Sequence, residues 1–95
     1  MLYAIICEDR PDAGTLRGDT RPVHLEYLAS LGATVKFAGP FLSAEGAPEG
    51  SLLMVEAESE AAARAIADGD PYAKAGLFSK VSVRAWRWVV NAPQG

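Results

Sequence analysis

Apolar positions along this chain follow two rhythms, and the switches between them mark the elements. Residues 2–8, "LYAIICE", are β-rich and bounded by the polar "DRPDAGTLRGDT", which predicts a strand. In "RPVHLEYLASLG" (21–32) the period changes to that of a helix. Thr20 or Asp19 is its expected N-cap, Pro22 falls in its first turn, and Gly32 ends it. "TVKFAG" (34–39) predicts a second strand, "PFLSAEGAPEG" (40–50) a turn-rich connection, and "SLLMVEAE" (51–58) a third strand. Ser59 then caps "EAAARAIADG", a helix rich in alanine, the strongest helix former. After the connection "DPYAKAGLF", "SKVSVRAWRWVV" (79–90) alternates as a fourth strand. The tail, 91–95, is expected to fray.

The resulting order is βαββαβ, without repeat or linker, across a single domain of residues 1–95. Its simplest closure is an α+β, ferredoxin-like plait. Right-handed crossovers put strands 1 and 3 in the middle of a four-stranded antiparallel sheet, with both helices on one face. Along the fourth strand, Val81, Val83 and Ala85 share the helix side, while Arg84, Trp86 and Trp88 share the open side. Contiguous apolar surface of that kind marks an interface, so a second copy of the sheet is the expected cover. The alternative is that the C-terminal tail shields both tryptophans.

The plait also gathers chemistry at one end. His24, Leu28 and Leu31 share one helix side, with Leu25 and Tyr27 flanking and Val23, Glu26 and Ser30 opposite. The histidine therefore sits within the expected buried stripe. The first helix begins, and the second ends, at the end of the sheet where strand 1 finishes. This brings His24 and Asp70 to a common edge, where loops 9–19 and 40–50 also emerge. Such long loops at one edge are a frequent place for sites. A carboxylate on one imidazole nitrogen fixes the tautomer and leaves the other nitrogen to exchange protons near neutral pH. Against this, a helical histidine also serves as core filling, and Asp before Pro is a common cap.

Composition narrows the field. At 95 residues and 49% apolar, the chain can bury one core. No apolar run approaches the roughly 20 residues that span a bilayer. "MLYAIICED" has neither a basic leader nor a small-residue cleavage site, which points to the cytoplasm. The lone Cys7 has no partner for an intrachain bridge, as suits a reducing compartment. In its strand it is expected to be a buried, inert thiol. A net charge of −3 with scattered basic residues argues against nucleic acid. One histidine and one cysteine make no metal cluster, and no glycine-rich phosphate loop appears. Glu8, Asp9 and Asp12 are best explained as a solvated loop. Arg21, near the expected helix start, is a candidate for holding an anionic group.

Taken in order, "MLYAIICED", "RPVHLEYLASLG", "FAGPF", "SLLMVEAESEAAARAIADGDPYAKAGLF" and "VSVRAWRWV" resemble the YCII-related proteins over nearly the whole chain. The Arg-x-x-His and Asp-Pro-Tyr elements are the specific part. The resemblance implies a ferredoxin-like fold paired as a dimeric α+β barrel. It also implies a site built on a His–Asp pair, here His24 and Asp70, with Arg21 and Tyr72 as substrate-binding residues. The family includes a dehydrochlorinase acting on a chlorinated hydroxyhydroquinone. The connection after "GPF" is short and glycine-rich here, a departure that bears on pocket shape. The expected function is acid–base chemistry without cofactor or metal on a small, aromatic or enol-type metabolite. The alternative is a non-catalytic module that holds a ligand in the same pocket.

Overall fold

A computed structural model describes residues 1–93. Strand β1 (Leu2–Asp9) leads into helix α1 (Leu16–Leu31), which a short 3-10 turn joins to β2 (Val35–Leu42). Strand β3 (Pro48–Glu56) is followed by α2 (Glu60–Gly69), the four-residue helix α3 (Pro71–Lys74) and β4 (Phe78–Trp86). The strands form one antiparallel sheet in the order β2-β3-β1-β4, with helices packed on one face, so the two central strands are the expected ones. This is the ferredoxin-like plait.

The core lies between the sheet and α2. Ile5, Cys7, Leu53, Val55 and Val83 alternate inward from three strands and meet Ala63 and Ala67 of α2. Alanines one turn apart let the helix come close to the sheet. Ser59 caps α2 by accepting from the N–H of Ala62 at 3.1 Å, as its sequence predicts.

Several boundaries differ from the sequence reading. Helix α1 begins at Leu16, not near residue 20, and Pro22 lies inside it. Proline favours a first turn because that N–H needs no partner. Here the helix tolerates the missing donor one turn further in. Thr15 and Asp19 tie the true first turn together by a side-chain hydrogen bond of 2.9 Å. The connection 40–50 is mostly strand: β2 runs on to Leu42 and β3 starts at Pro48, leaving a tight turn around Gly46, whose φ is +86°. The stretch after Gly69 holds α3, and β4 stops at Trp86 rather than residue 90. Residues 87–93 carry no helix or strand, and the last two residues of the expected fraying tail lie outside the described residues.

The expected buried stripe of α1 is also narrower than its spacing suggests. His24 is its only buried residue, while Leu28 is half-buried and Leu25 is exposed. The reason is that α1 overhangs a cavity instead of lying flat on the sheet. Among the described residues, no helix is long and apolar enough to cross a membrane.

Candidate functional site

Asp70 occupies the joint between α2 and α3. Its extended backbone (φ −65°, ψ 128°) ends one helix and starts the next, and Pro71 supplies the first residue of α3. The Oδ1 of Asp70 accepts from the Tyr72 N–H at 2.9 Å and lies 2.8 Å from Nδ1 of His24. As a carboxylate oxygen it accepts, so Nδ1 is the donor. That leaves Nε2 of the neutral ring as the acceptor, in an imidazole that lines the cavity. The two side chains are 9% and 2% exposed. Both come from the same chain.

Tyr72 completes the arrangement. Its ring stacks on the imidazole at 3.9 Å between centroids and 18° between planes. Burial pushes its phenol above the usual value, an effect partly offset by the charges of Arg17 and Arg21, so the hydroxyl is protonated at neutral pH. Tyr27 locks α1 to α2 from the other side, its hydroxyl donating to the carbonyl of Ile66 at 2.7 Å. Gly69 permits this contact: a Cβ there would lie 2.6 Å from that hydroxyl oxygen.

The cavity measures about 470 Å³, within the range of small-ligand sites. Leu25, Leu28 and Leu53 give it apolar walls, Ala38, Gly39 and Pro40 of β2 form its outer side, and polar groups converge at His24, Tyr72 and two arginines. Arg21 stands one helical turn from His24 and lines the cavity. It lies in the second turn of α1 rather than at its start, so it gains no help from the helix's free amide groups. It makes no ion pair with a carboxylate of the described residues.

Arg17 and Ser51 escape the sequence reading, and Asp9 contradicts it. Asp9 is not solvated: its carboxylate takes Nε and Nη2 of Arg17, each at 2.7 Å, and its side chain is 10% exposed. Nη2 also donates to Oγ of Ser51 at 3.0 Å. The hydrogen bond to Asp9 raises the guanidinium's already high pKa. The Arg17 guanidinium carbon lies 4.7 Å from the centre of the Tyr72 ring. Alternation from Cys7 puts Asp9 on the helix side of β1, and Arg17 precedes His24 by two turns on the same face of α1. These spacings point to the pair once the helix is known to reach back to residue 16.

Cys7 lies beneath the site, 2% exposed, its thiol pushed up to about 12 by burial and then by the charge of Asp70. It is protonated and unreactive at neutral pH. Among the described residues, no three His, Cys, Asp or Glu side chains gather as a metal site.

Comparison with known proteins places the chain in a family. A family model described as the YCII-related domain matches residues 1–87. The chain belongs to the YCII-related family. Curated YCII-related relatives include Protein YciI of Escherichia coli O6:H1 and of Shigella flexneri. Each is 38% identical over 97 residues, covering 94% of this chain and 99% of the relative. A similar solved structure is the 5-chloro-2-hydroxyhydroquinone dehydrochlorinase of Burkholderia phenoliruptrix, in complex with 2,5-dihydroxybenzoquinone. It superposes with a TM-score of 0.84 at 36% identity, over 92% of this chain and 94% of that one.

Proposed function

We propose that this YCII-related protein is a cofactor-independent acid–base enzyme acting on a small aromatic or enol-type metabolite, with His24 exchanging the protons. The observation that carries the reading is the buried His24–Asp70 pair at 2.8 Å, whose imidazole opens on a cavity with an uncommitted arginine. Asp70 orients the ring and stabilises the imidazolium formed when Nε2 takes a proton. Arg21 holds an anionic oxygen of the substrate, and the Tyr72 hydroxyl donates to another.

The similar dehydrochlorinase supports a ring substrate. On a chlorinated hydroxyhydroquinone, His24 takes a proton from a ring hydroxyl and returns it to the carbon bearing chlorine. It then takes a second hydroxyl proton as the carbon–chlorine bond breaks. Loss of one proton and one chloride leaves a hydroxyquinone, so no external oxidant is needed. The same proton shuttle without a leaving group is a keto–enol isomerisation. The working form is a homodimer, paired through the open sheet face.

The test is anaerobic incubation with 5-chloro-2-hydroxyhydroquinone and with unchlorinated hydroxyhydroquinones, following chloride release and quinone absorbance. Turnover by the wild type, lost in a folded His24→Ala protein, supports the reading. If the wild type binds 2,5-dihydroxybenzoquinone, returns it unchanged and turns over none of the panel, the protein is instead a ligand-holding module.

A further inference from the structure

We propose that Arg17 is a positioning residue for proton transfer at His24, acting through the ring of Tyr72. The hydrogen bond from Nδ1 to Asp70 holds the imidazole only within that bond's own latitude in distance and angle. The stack on Tyr72, 3.9 Å apart and 18° from parallel, sets the plane. Asp70 pins the backbone of Tyr72 but not its side-chain torsions. Among the groups around that buried ring, Phe78 meets it edge-on at 6.0 Å and the Arg17 guanidinium lies against it at 4.7 Å.

Arg17 is itself held by three hydrogen bonds. Nε and Nη2 take both oxygens of Asp9, and Nη2 reaches Ser51 as well. Asp9 ends β1 and Ser51 lies on β3, the two central strands of the sheet. The rigid sheet therefore fixes the guanidinium, the guanidinium fixes the phenol ring, and the phenol ring fixes the imidazole. A planar guanidinium suits this task because it pairs with a carboxylate along one edge while presenting a face to an aromatic ring. Asp9 neutralises its charge, so Arg17 contributes geometry while Arg21 remains the cation for a ligand.

The consequence for rate rests on the acid–base reading above, but the geometry is measurable without turnover. The imidazole protons of the only histidine carry the ring-current shift of the stacked Tyr72. In a folded Arg17→Ala protein these resonances move toward free-histidine values, while Nδ1 keeps its proton because Asp70 is untouched. Arg17→Lys restores a charge for Asp9 but no planar face, and the resonances move as in Arg17→Ala. This second variant also serves if the alanine protein does not fold. Where turnover is measurable, kcat falls by up to about 100-fold, with a smaller change in KM. A merely structural Arg17 would lower the melting temperature and leave the imidazole shifts of the folded protein unmoved; that result in Arg17→Lys overturns the proposal. Moved shifts without any turnover would uphold the positioning role and count against the enzymatic reading alone.

Discussion

His24 and Asp70, far apart in sequence, share a hydrogen bond of 2.8 Å in which the carboxylate oxygen is already committed to the Tyr72 N–H. One oxygen thus serves two purposes: it starts α3 and selects the imidazole tautomer. Asp70→Ala removes both. Long-range proton–nitrogen spectra of the neutral ring are expected to show the Nδ1–H form in the wild type. In the variant the ring relaxes toward the mixture of a free histidine. Identical spectra would mean that the two side chains are uncoupled in solution.

The same variant has an energetic signature. It loses an N-cap and a buried hydrogen bond, which together cost on the order of 1–3 kcal/mol. Urea denaturation should show a lower midpoint with an unchanged slope, since the surface exposed on unfolding stays the same.

The Asp9–Arg17 pair should behave as a coupled unit. Both side chains are nearly buried, so removing either one leaves the other charged and unpaired. Arg17→Met alone or Asp9→Ala alone is expected to destabilise by about 3–5 kcal/mol, whereas the double variant costs less than the sum. A double-mutant cycle by chemical denaturation measures this; additive effects would show that the bidentate contact contributes little.

How far the sequence reveals the site depends on which signal marks each residue. The fold is legible because the bounded β-rich run at residues 2–8, the alternation within 79–90 and the capped alanine helix have few competing readings. His24 and Asp70 are legible through topology, which sends both to one end of the sheet. Arg17 is not, because Pro22 imitates a helix start and thereby hides the first turn of α1, which begins at Leu16. Asp9 is lost with it: a carboxylate beside "RPDAG" reads as loop until a partner is known. The cavity has no local signature either, since it arises from the way α1 stands over β2 and β3.

Cys7 gives a prediction on pH. Its folded-state pKa of about 12 stands above the ordinary 9.0, mainly through burial. A raised value of this kind contributes stability that is fully present below pH 9 and is lost as pH rises through the folded value, because the unfolded thiolate is favoured in between. The stability of Cys7→Ala is therefore expected to fall less steeply than wild type between about pH 9 and 12. Native labelling by a thiol reagent at neutral pH should also be slow and should accelerate on unfolding. Fast native labelling would show the thiol to be accessible and reactive.

The uncovered sheet face yields the last prediction. By register, Ala4, Met54 and Phe37 point to the side away from α2, as does Trp86 at the end of β4. Ala4 and Met54 are buried there, and the Phe37 ring meets Trp86 at 6.0 Å and Trp88 at 5.3 Å, both nearly edge-on. Trp88 thus folds over part of the face, as in the tail-shielding alternative. It does not finish the task, because Phe37 and Trp86 each remain 38% exposed and Phe41 42%. Aromatic surface of this extent, continuous across an antiparallel sheet, favours association with a second copy about a two-fold axis. Sedimentation at micromolar concentration is expected to give a dimer. Phe37→Asp would place a charge in the middle of the aromatic cluster and should shift the protein to monomer while leaving the His24–Asp70 pair intact. A wild type that sediments as a monomer would mean that the aromatic cluster needs no partner, and that the paired barrel is not this protein's working form.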